Sequence, residues 1–98
     1  MTNITYDFKN KNAVVTGGAA GIGFQITQSF LEAGGNVSVW DYSEQALQAA
    51  KTEFAKFANQ VQFTQVDITN RDSVAKAVAG LPWAVDILVN NAGITRDK

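Results

Sequence analysis

The residues with the clearest chemical purpose are Thr16-Gly17-Gly18-Ala19-Ala20-Gly21-Ile22-Gly23. They follow the apolar run Ala13-Val14-Val15 and lead into a stretch with helical apolar spacing. A strand, a glycine-dense turn and a helix start together offer main-chain N–H groups to an anion. Glycine lets a ligand approach the backbone closely, and the unpaired N–H groups and positive dipole end of the helix favour negative charge. The expectation is a loop that holds the pyrophosphate of a dinucleotide. The competing phosphate loop requires Lys and then Ser or Thr after its last glycine. Gly18 and Gly23 have its separation, but Phe24-Gln25 follow, so that chemistry is excluded.

Carboxylates and amides downstream extend the pattern. Asp41 lies 41 − 23 = 18 positions after Gly23, close to the ~20 expected of an acid that accepts hydrogen bonds from a ribose. Its charge would repel a 2′-phosphate, and no Lys or Arg lies between Thr16 and Glu44 to welcome one. The expected cofactor is therefore NAD, with NADP as the alternative. Asp67 fits either the adenine end of such a ligand or ordinary helix-entry turn chemistry. Asn90-Asn91 fits a helix-entry turn as well as a ligand contact. Trp40 and Trp83 are read as core or interface packing. Tyr6 and Tyr42 are the two tyrosines, and neither has a lysine four residues later, where Asn10 and Ala46 stand.

These groups need elements to position them. Val37-Ser38-Val39-Trp40 reads as a second strand, ending at Asp41. Val61 to Val66 reads as a third, with Val61, Phe63 and Gln65 on one face and Gln62, Thr64 and Val66 on the other. Val85 to Val89 reads as a fourth. Between them, Ile22, Ile26 and Phe30 form the ridge of a first helix closed by Ala33-Gly34-Gly35. Leu47, Ala50, Phe54 and Phe57 form that of a second, capped by Ser43. Val74, Val78 and Leu81 form that of a third, capped by Thr69 or Asn70 and closed by Gly80 and Pro82.

Alternating strands and helices give right-handed βαβ units. The fold class expected over residues 1–98 is α/β, a three-layer Rossmann-type half domain. Its parallel sheet has four strands in the order 3-2-1-4, with helices on both faces. The glycine loop, Asp41, Asp67 and the Asn90–Gly93 turn then share one sheet edge, at the crevice between the first and fourth strands where the order reverses.

Composition narrows the function further. The 98 residues are 46% hydrophobic and 17% charged with net charge −1, so neither a nucleic-acid nor a membrane partner is expected. The absence of cysteine and histidine excludes thiolate and zinc sites and a Ser-His-Asp triad within the chain. There is no signal-peptide pattern and no bilayer-spanning run, so a cytoplasmic location is expected.

Two stretches in combination, Thr16-Gly17-x-x-x-Gly21-Ile22-Gly23 and Asn90-Asn91-Ala92-Gly93, resemble the cofactor loop and the post-strand-four turn of the short-chain dehydrogenase/reductase family. Asp67-Ile68-Thr69 resembles its adenine-contacting segment, and Gly93-Ile94-Thr95-Arg96-Asp97 resembles the 3-oxoacyl-carrier-protein and acetoacetyl-CoA reductase branch. The resemblance implies that Gly17, Gly21, Ile22 and Gly23 line the pyrophosphate. It implies Asp41 at the ribose, Asp67 and Ile68 at the adenine, and Asn90, Ala92 and Gly93 beside the cofactor. It also implies a catalytic Ser, Tyr and Lys that this sequence does not contain in the family's pattern. The expectation is the N-terminal, cofactor-binding half of an NAD-dependent oxidoreductase acting on a carbonyl or secondary alcohol (3-oxoacyl thioester, sugar or diol type), inactive by itself. The alternative is a non-catalytic nucleotide-binding or self-assembling half-domain module. The apolar edge of the fourth strand, Val85, Ile87, Leu88 and Val89, suggests a homo-oligomer that pairs there.

Overall fold

The computed structural model describes residues 8–91. Four strands form one fully parallel sheet: β1 Asn12–Thr16, β2 Asn36–Asp41, β3 Val61–Gln65 and β4 Ile87–Asn90. Their order is β3-β2-β1-β4, the order expected from the alternation of elements. The central position of β1 explains its unbroken apolar run. Val14 lies beside Ser38 on one flank and Leu88 on the other, and Ala13 to Thr16 are all buried.

Three α-helices cover the sheet: α1 Gly21–Glu32, α2 Glu44–Glu53 and α3 Arg71–Ala79. The side chains of Ala13, Val15, Val37 and Val39 point to the face occupied by α1 and α2, where they meet Phe30, Leu31, Leu47, Ala50 and Phe54. Val14, Trp40 and Val66 point to the opposite face, against Ala77 of α3. This period-two division gives the three layers. The expected alternation along β3 holds, with Val61 and Phe63 on the first face and Val66 on the second.

The expected ridge of α1 holds at Phe30 and in part at Ile26, which pack on the core, and fails at Ile22. Gly23, Thr27, Phe30 and Leu31 face the sheet, while Ile22 is 60% exposed at the helix start. A tight helix–strand approach selected glycine and threonine there, and left the larger Ile22 at the rim. Phe8 stacks on Phe30 at 4.4 Å between ring centroids, anchoring the lead-in to β1.

The second helix is shorter than its apolar pattern. It stops at Phe54, and Ala55–Phe57 form a single 3-10 turn. Phe54 stacks on Phe24 at 4.5 Å and meets Phe57 edge-on at 6.4 Å. The tighter turn thus still delivers both aromatic rings to the core. In α3 the buried residue is Ala77; Val74 and Leu81 are partly buried and Val78 is exposed, contrary to the expected stripe. The fourth strand begins two residues later than its sequence suggests. Asp86 instead closes the start of the β1–β4 pair, its carboxylate accepting from Asn12 N–H at 2.9 Å. Leu88 is 63% exposed on the face opposite α1, and among the described residues β4 has a strand neighbour on one side alone.

Candidate functional site

The C-terminal edge of the sheet gathers the predicted residues. Beyond β1 the chain curls over the end of β2, with Gly17 and Gly18 N–H both donating to Trp40 O, at 2.7 and 3.4 Å. Buried Thr27 of α1 donates its hydroxyl to Gly18 O at 3.3 Å, tying the loop to the helix that follows. A Cβ at position 23 would collide with Gly17 O and stand 2.7 Å from Asn91 Nδ2. Only glycine permits that closeness, so Gly23 sets how near α1 sits to the loop. Gly21 differs. It has φ +58° and open space around the position of a Cβ, so it bares the helix start to a ligand.

The N-termini of the three helices are treated differently. Ser43 accepts from Ala46 N–H at 3.0 Å and Asn70 from Ser73 N–H at 3.0 Å, and both helices carry an acid in the first turn. Helix α1 has neither; Ala20 precedes it in extended backbone with no side-chain cap, and its first turn holds no carboxylate. The first-turn N–H groups of Gly21, Ile22 and Gly23 therefore remain available at the positive dipole end. An anion is the natural occupant of such donors.

Asp41 ends β2 beside this loop. One carboxylate oxygen accepts from Ala19 N–H at 3.2 Å and the other from Ser43 N–H at 3.0 Å. Asp41 O also receives Val66 N–H at 3.0 Å, which brings the β3 exit to the same edge. Asp67 follows. Its Oδ1 accepts the Thr69 hydroxyl at 2.6 Å and the Thr69 N–H at 3.0 Å, which hold its carboxyl below the ordinary value of 3.8. Its own N–H donates to Ser73 Oγ at 3.0 Å. Asp67 thus organises the entry to α3, and Ile68 next to it is exposed.

From the other flank, Asn90 Oδ1 accepts the Thr16 hydroxyl at 3.1 Å. Asn91 is 3% exposed and donates from Nδ2 to Gly17 O at 3.2 Å, while its Oδ1 is buried with no partner among the described residues. Ala92 and Gly93 lie outside the described residues. Trp40 is buried, with Nε1 donating to Ser38 Oγ at 3.1 Å, as its reading as a packing residue requires.

Three features escaped the sequence pattern. Thr27 repeats four residues after Gly23 on the helix, but nothing distinguishes a buried threonine from an exposed one by type. The tether from Asp41 to Ala19 N–H needs a backbone donor that no residue letter reveals. Asn91 was legible as one of a pair, yet which of the two would reach the glycine loop depends on the pleat.

Among the described residues, no cluster of His, Cys, Asp and Glu could hold a metal, and no helix is long and apolar enough to cross a membrane. The arrangement is suited instead to a ligand with linked phosphates at the α1 start and a hydroxyl-bearing group near Asp41.

The chain is similar in sequence and fold to known proteins. Residues 11–98 match the family model described as short chain dehydrogenase. The chain is 45% identical over 92 residues to the 3-oxoacyl-acyl-carrier-protein reductase FabG of Chlamydia trachomatis, covering 90% of this chain and 37% of that one. It is 45% identical over 87 residues to 3beta-hydroxysteroid dehydrogenase 2 of Eggerthella lenta, covering 86% and 34%. The RhlG/NADP active-site complex of Pseudomonas aeruginosa superposes with a TM-score of 0.78 at 32% identity, over 90% of this chain and 36% of that one. The chain thus spans a little over a third of the length of the proteins it matches.

Proposed function

The chain belongs to the short-chain dehydrogenase family, and we propose that it is the dinucleotide-gripping part of an NAD-dependent oxidoreductase. The observation that carries this reading is the uncapped start of α1, open at Gly21, with the Asp41 carboxylate at the adjacent strand end. The amides of the loop and helix start, from Gly17 to Gly23, would bind the pyrophosphate. Asp41 would accept from the ribose hydroxyls of the adenosine, and Asp67 with Ile68 would border the adenine. Asn90, with Ala92 and Gly93 after it, would flank the cofactor from β4.

A bound nicotinamide dinucleotide supplies a hydride donor or acceptor; the proposed substrate is a carbonyl or secondary alcohol of the 3-oxoacyl thioester, sugar or diol type. The residues of this chain contribute binding and orientation. Thr16 and Gly17, where the chain leaves β1, are tied to the β4 end through Asn90 and Asn91 respectively, and Asp41 holds Ala19 further along. A loop held at both points presents its amides without rearrangement when the ligand arrives.

The preference for NAD follows from charge. A 2′-phosphate would meet the Asp41 carboxylate, and like-charge juxtaposition costs several kcal/mol. Between Thr16 and Glu44 no cation offsets it. Calorimetric titration of the chain with NAD, NADP and ADP-ribose tests this reading. NAD and ADP-ribose are expected to bind more than about tenfold tighter than NADP, tenfold being 1.4 kcal/mol. Equal affinities, or a preference for NADP, would overturn the NAD assignment, and no binding of any of the three would overturn the functional reading itself.

A further inference from the structure

We propose that Asp41 has a second task besides ribose recognition: its carboxylate is the strut that sets the glycine loop before any ligand binds. This inference deepens the cofactor reading above and rests on it for the identity of the ligand. The geometry points to it through three observations. Asp41 Oδ2 accepts from Ala19 N–H at 3.2 Å, across 22 positions of sequence, at the middle of the loop. Its Oδ1 is held by Ser43 N–H at 3.0 Å, which fixes the carboxylate plane rather than leaving it free to swing. Ala19 itself is buried at 5% exposure, so its amide has little access to water as a substitute acceptor.

The loop is anchored at three other points: by Trp40 O at Gly17 and Gly18, by Thr27 at Gly18 O, and by Asn91 at Gly17 O. All three grip its first half. Asp41 is the side chain that reaches Ala19, one residue before the extended Ala20 from which α1 springs. The Asp41–Ala19 bond therefore sets the second half of the loop, where the Gly21 to Gly23 amides begin, while Thr27 and the Gly23 contact hold α1 to its first half. A buried N–H deprived of its acceptor either rotates toward water or stays unpaired at a cost. Either way the phosphate-facing amides lose their preset orientation.

The consequence is that ribose choice and pyrophosphate grip are coupled through one carboxylate. Replacing Asp41 to admit a 2′-phosphate would weaken the grip on both cofactors, not simply exchange one for the other. Asn retains one acceptor oxygen and can keep the Ala19 bond at the expense of the Ser43 bond, whereas Ala keeps neither.

The test compares Asp41→Ala and Asp41→Asn in the 98-residue chain. The first readout needs no ligand. In Asp41→Ala the Ala19 amide proton is expected to move upfield and to exchange with solvent at least about tenfold faster, as loss of a charge-assisted bond implies; Asp41→Asn is expected to stay nearer the parent. The second readout is affinity for NAD and for its 2′,3′-dideoxyadenosine analogue, which offers Asp41 no adenosine ribose hydroxyls. Asp41→Ala is expected to weaken the analogue about tenfold, with Asp41→Asn restoring part of it. An Ala19 amide unmoved in Asp41→Ala overturns the strut, whether or not the chain binds dinucleotides. An analogue affinity unchanged by Asp41→Ala overturns the coupling between ribose choice and pyrophosphate grip. Parent chain that binds neither NAD nor analogue refutes the cofactor reading, and with it the coupling; the amide readout then decides the strut by itself.

Discussion

Gly23→Ala is expected to damage the protein far more than Gly21→Ala, although both replace a glycine of the same turn. At position 23 the added methyl would strike Gly17 O and stand 2.7 Å from Asn91 Nδ2. Gly17 is main chain, pinned by Trp40 O through its own N–H. It cannot swing aside as a flexible side chain would, so α1 must lift from the loop. Overpacking of this kind costs about 1–3 kcal/mol, and the Asn91–Gly17 hydrogen bond lost as the gap opens adds about 1 kcal/mol. The sum is about 2–4 kcal/mol, a large share of the roughly 5–15 kcal/mol typical of a domain. At position 21 the methyl would meet open space, and the cost is the left-handed backbone at φ +58°. That is about 1–2 kcal/mol, partly offset by a stiffer unfolded chain. Urea unfolding followed by tryptophan emission reads the difference. With slopes of about 1–3 kcal/mol per molar, a 3 kcal/mol loss in Gly23→Ala moves the midpoint down by about 1–3 M, and Gly21→Ala moves it much less. Binding should reverse the emphasis, because the Gly21 methyl would stand where the phosphates approach: NAD affinity falls in Gly21→Ala while its fold persists. A Gly23→Ala protein within about 0.5 kcal/mol of the parent, the usual spread of innocuous surface changes, would refute the close-approach argument.

Three further outcomes follow from the packing and the charges. Ser38→Ala should cost about 1–3 kcal/mol in the same urea assay, since Ser38 is fully buried, accepts from Trp40 Nε1 at 3.1 Å and donates to Gln62 Oε1 at 2.9 Å; an unchanged midpoint would mean the pair is dispensable. Thr69→Val should return the Asp67 titration toward 3.8, because the Thr69 hydroxyl is the larger of the two bonds that lower it. A carboxyl whose folded value is depressed adds stability at pH above 3.8 and loses it as pH falls through the folded value. The variant and parent should therefore differ at neutral pH and converge in strong acid, and a carbon-13 titration that shows Asp67 unmoved would contradict this. Leu88→Lys should weaken self-association measured by sedimentation, if the exposed pair of Val85, before β4, and Leu88, on it, is where copies meet; a parent chain that stays monomeric at high concentration removes the basis for that contact.

Much of the architecture was legible because it rests on periodicity. The buried run Ala13 to Val15, the β-branched second strand and the caps at Ser43 and Asn70 report their own environments, and strand order follows from the handedness of successive crossovers. What was illegible depended on closeness rather than pattern. Ile22 belongs by spacing to the ridge of α1, yet the helix sits so near the sheet that glycine and threonine face inward and Ile22 stays out. Val78 fails likewise, because α3 turns Ala77 and Val74 to the second core and leaves Val78 outward. Phe57 keeps its place in the core through a tighter turn that a strict 3.6-residue period does not anticipate. In the site, glycine spacing and strand-terminal acids announced the loop and Asp41. The bonds that stiffen the loop run between main-chain atoms and distant side chains, and residue types alone do not specify them. At Asp67 one carboxylate oxygen accepts both the N–H and the hydroxyl of Thr69, a turn that residue types two positions apart announce.

The bond from Asn91 to Gly17 O joins positions 74 apart. Closing so long a segment costs conformational entropy that short-range contacts do not, and such closures come late in folding when local elements form first. The glycine turn is synthesised before β4, but its stiffness waits for the fourth strand to dock. Until then, it is a hinge with two supports missing, Asn91 on the loop and Asn90 on Thr16. A ligand that prefers the finished geometry would hold that last strand in place, so occupancy should slow its detachment as well as protect the turn itself.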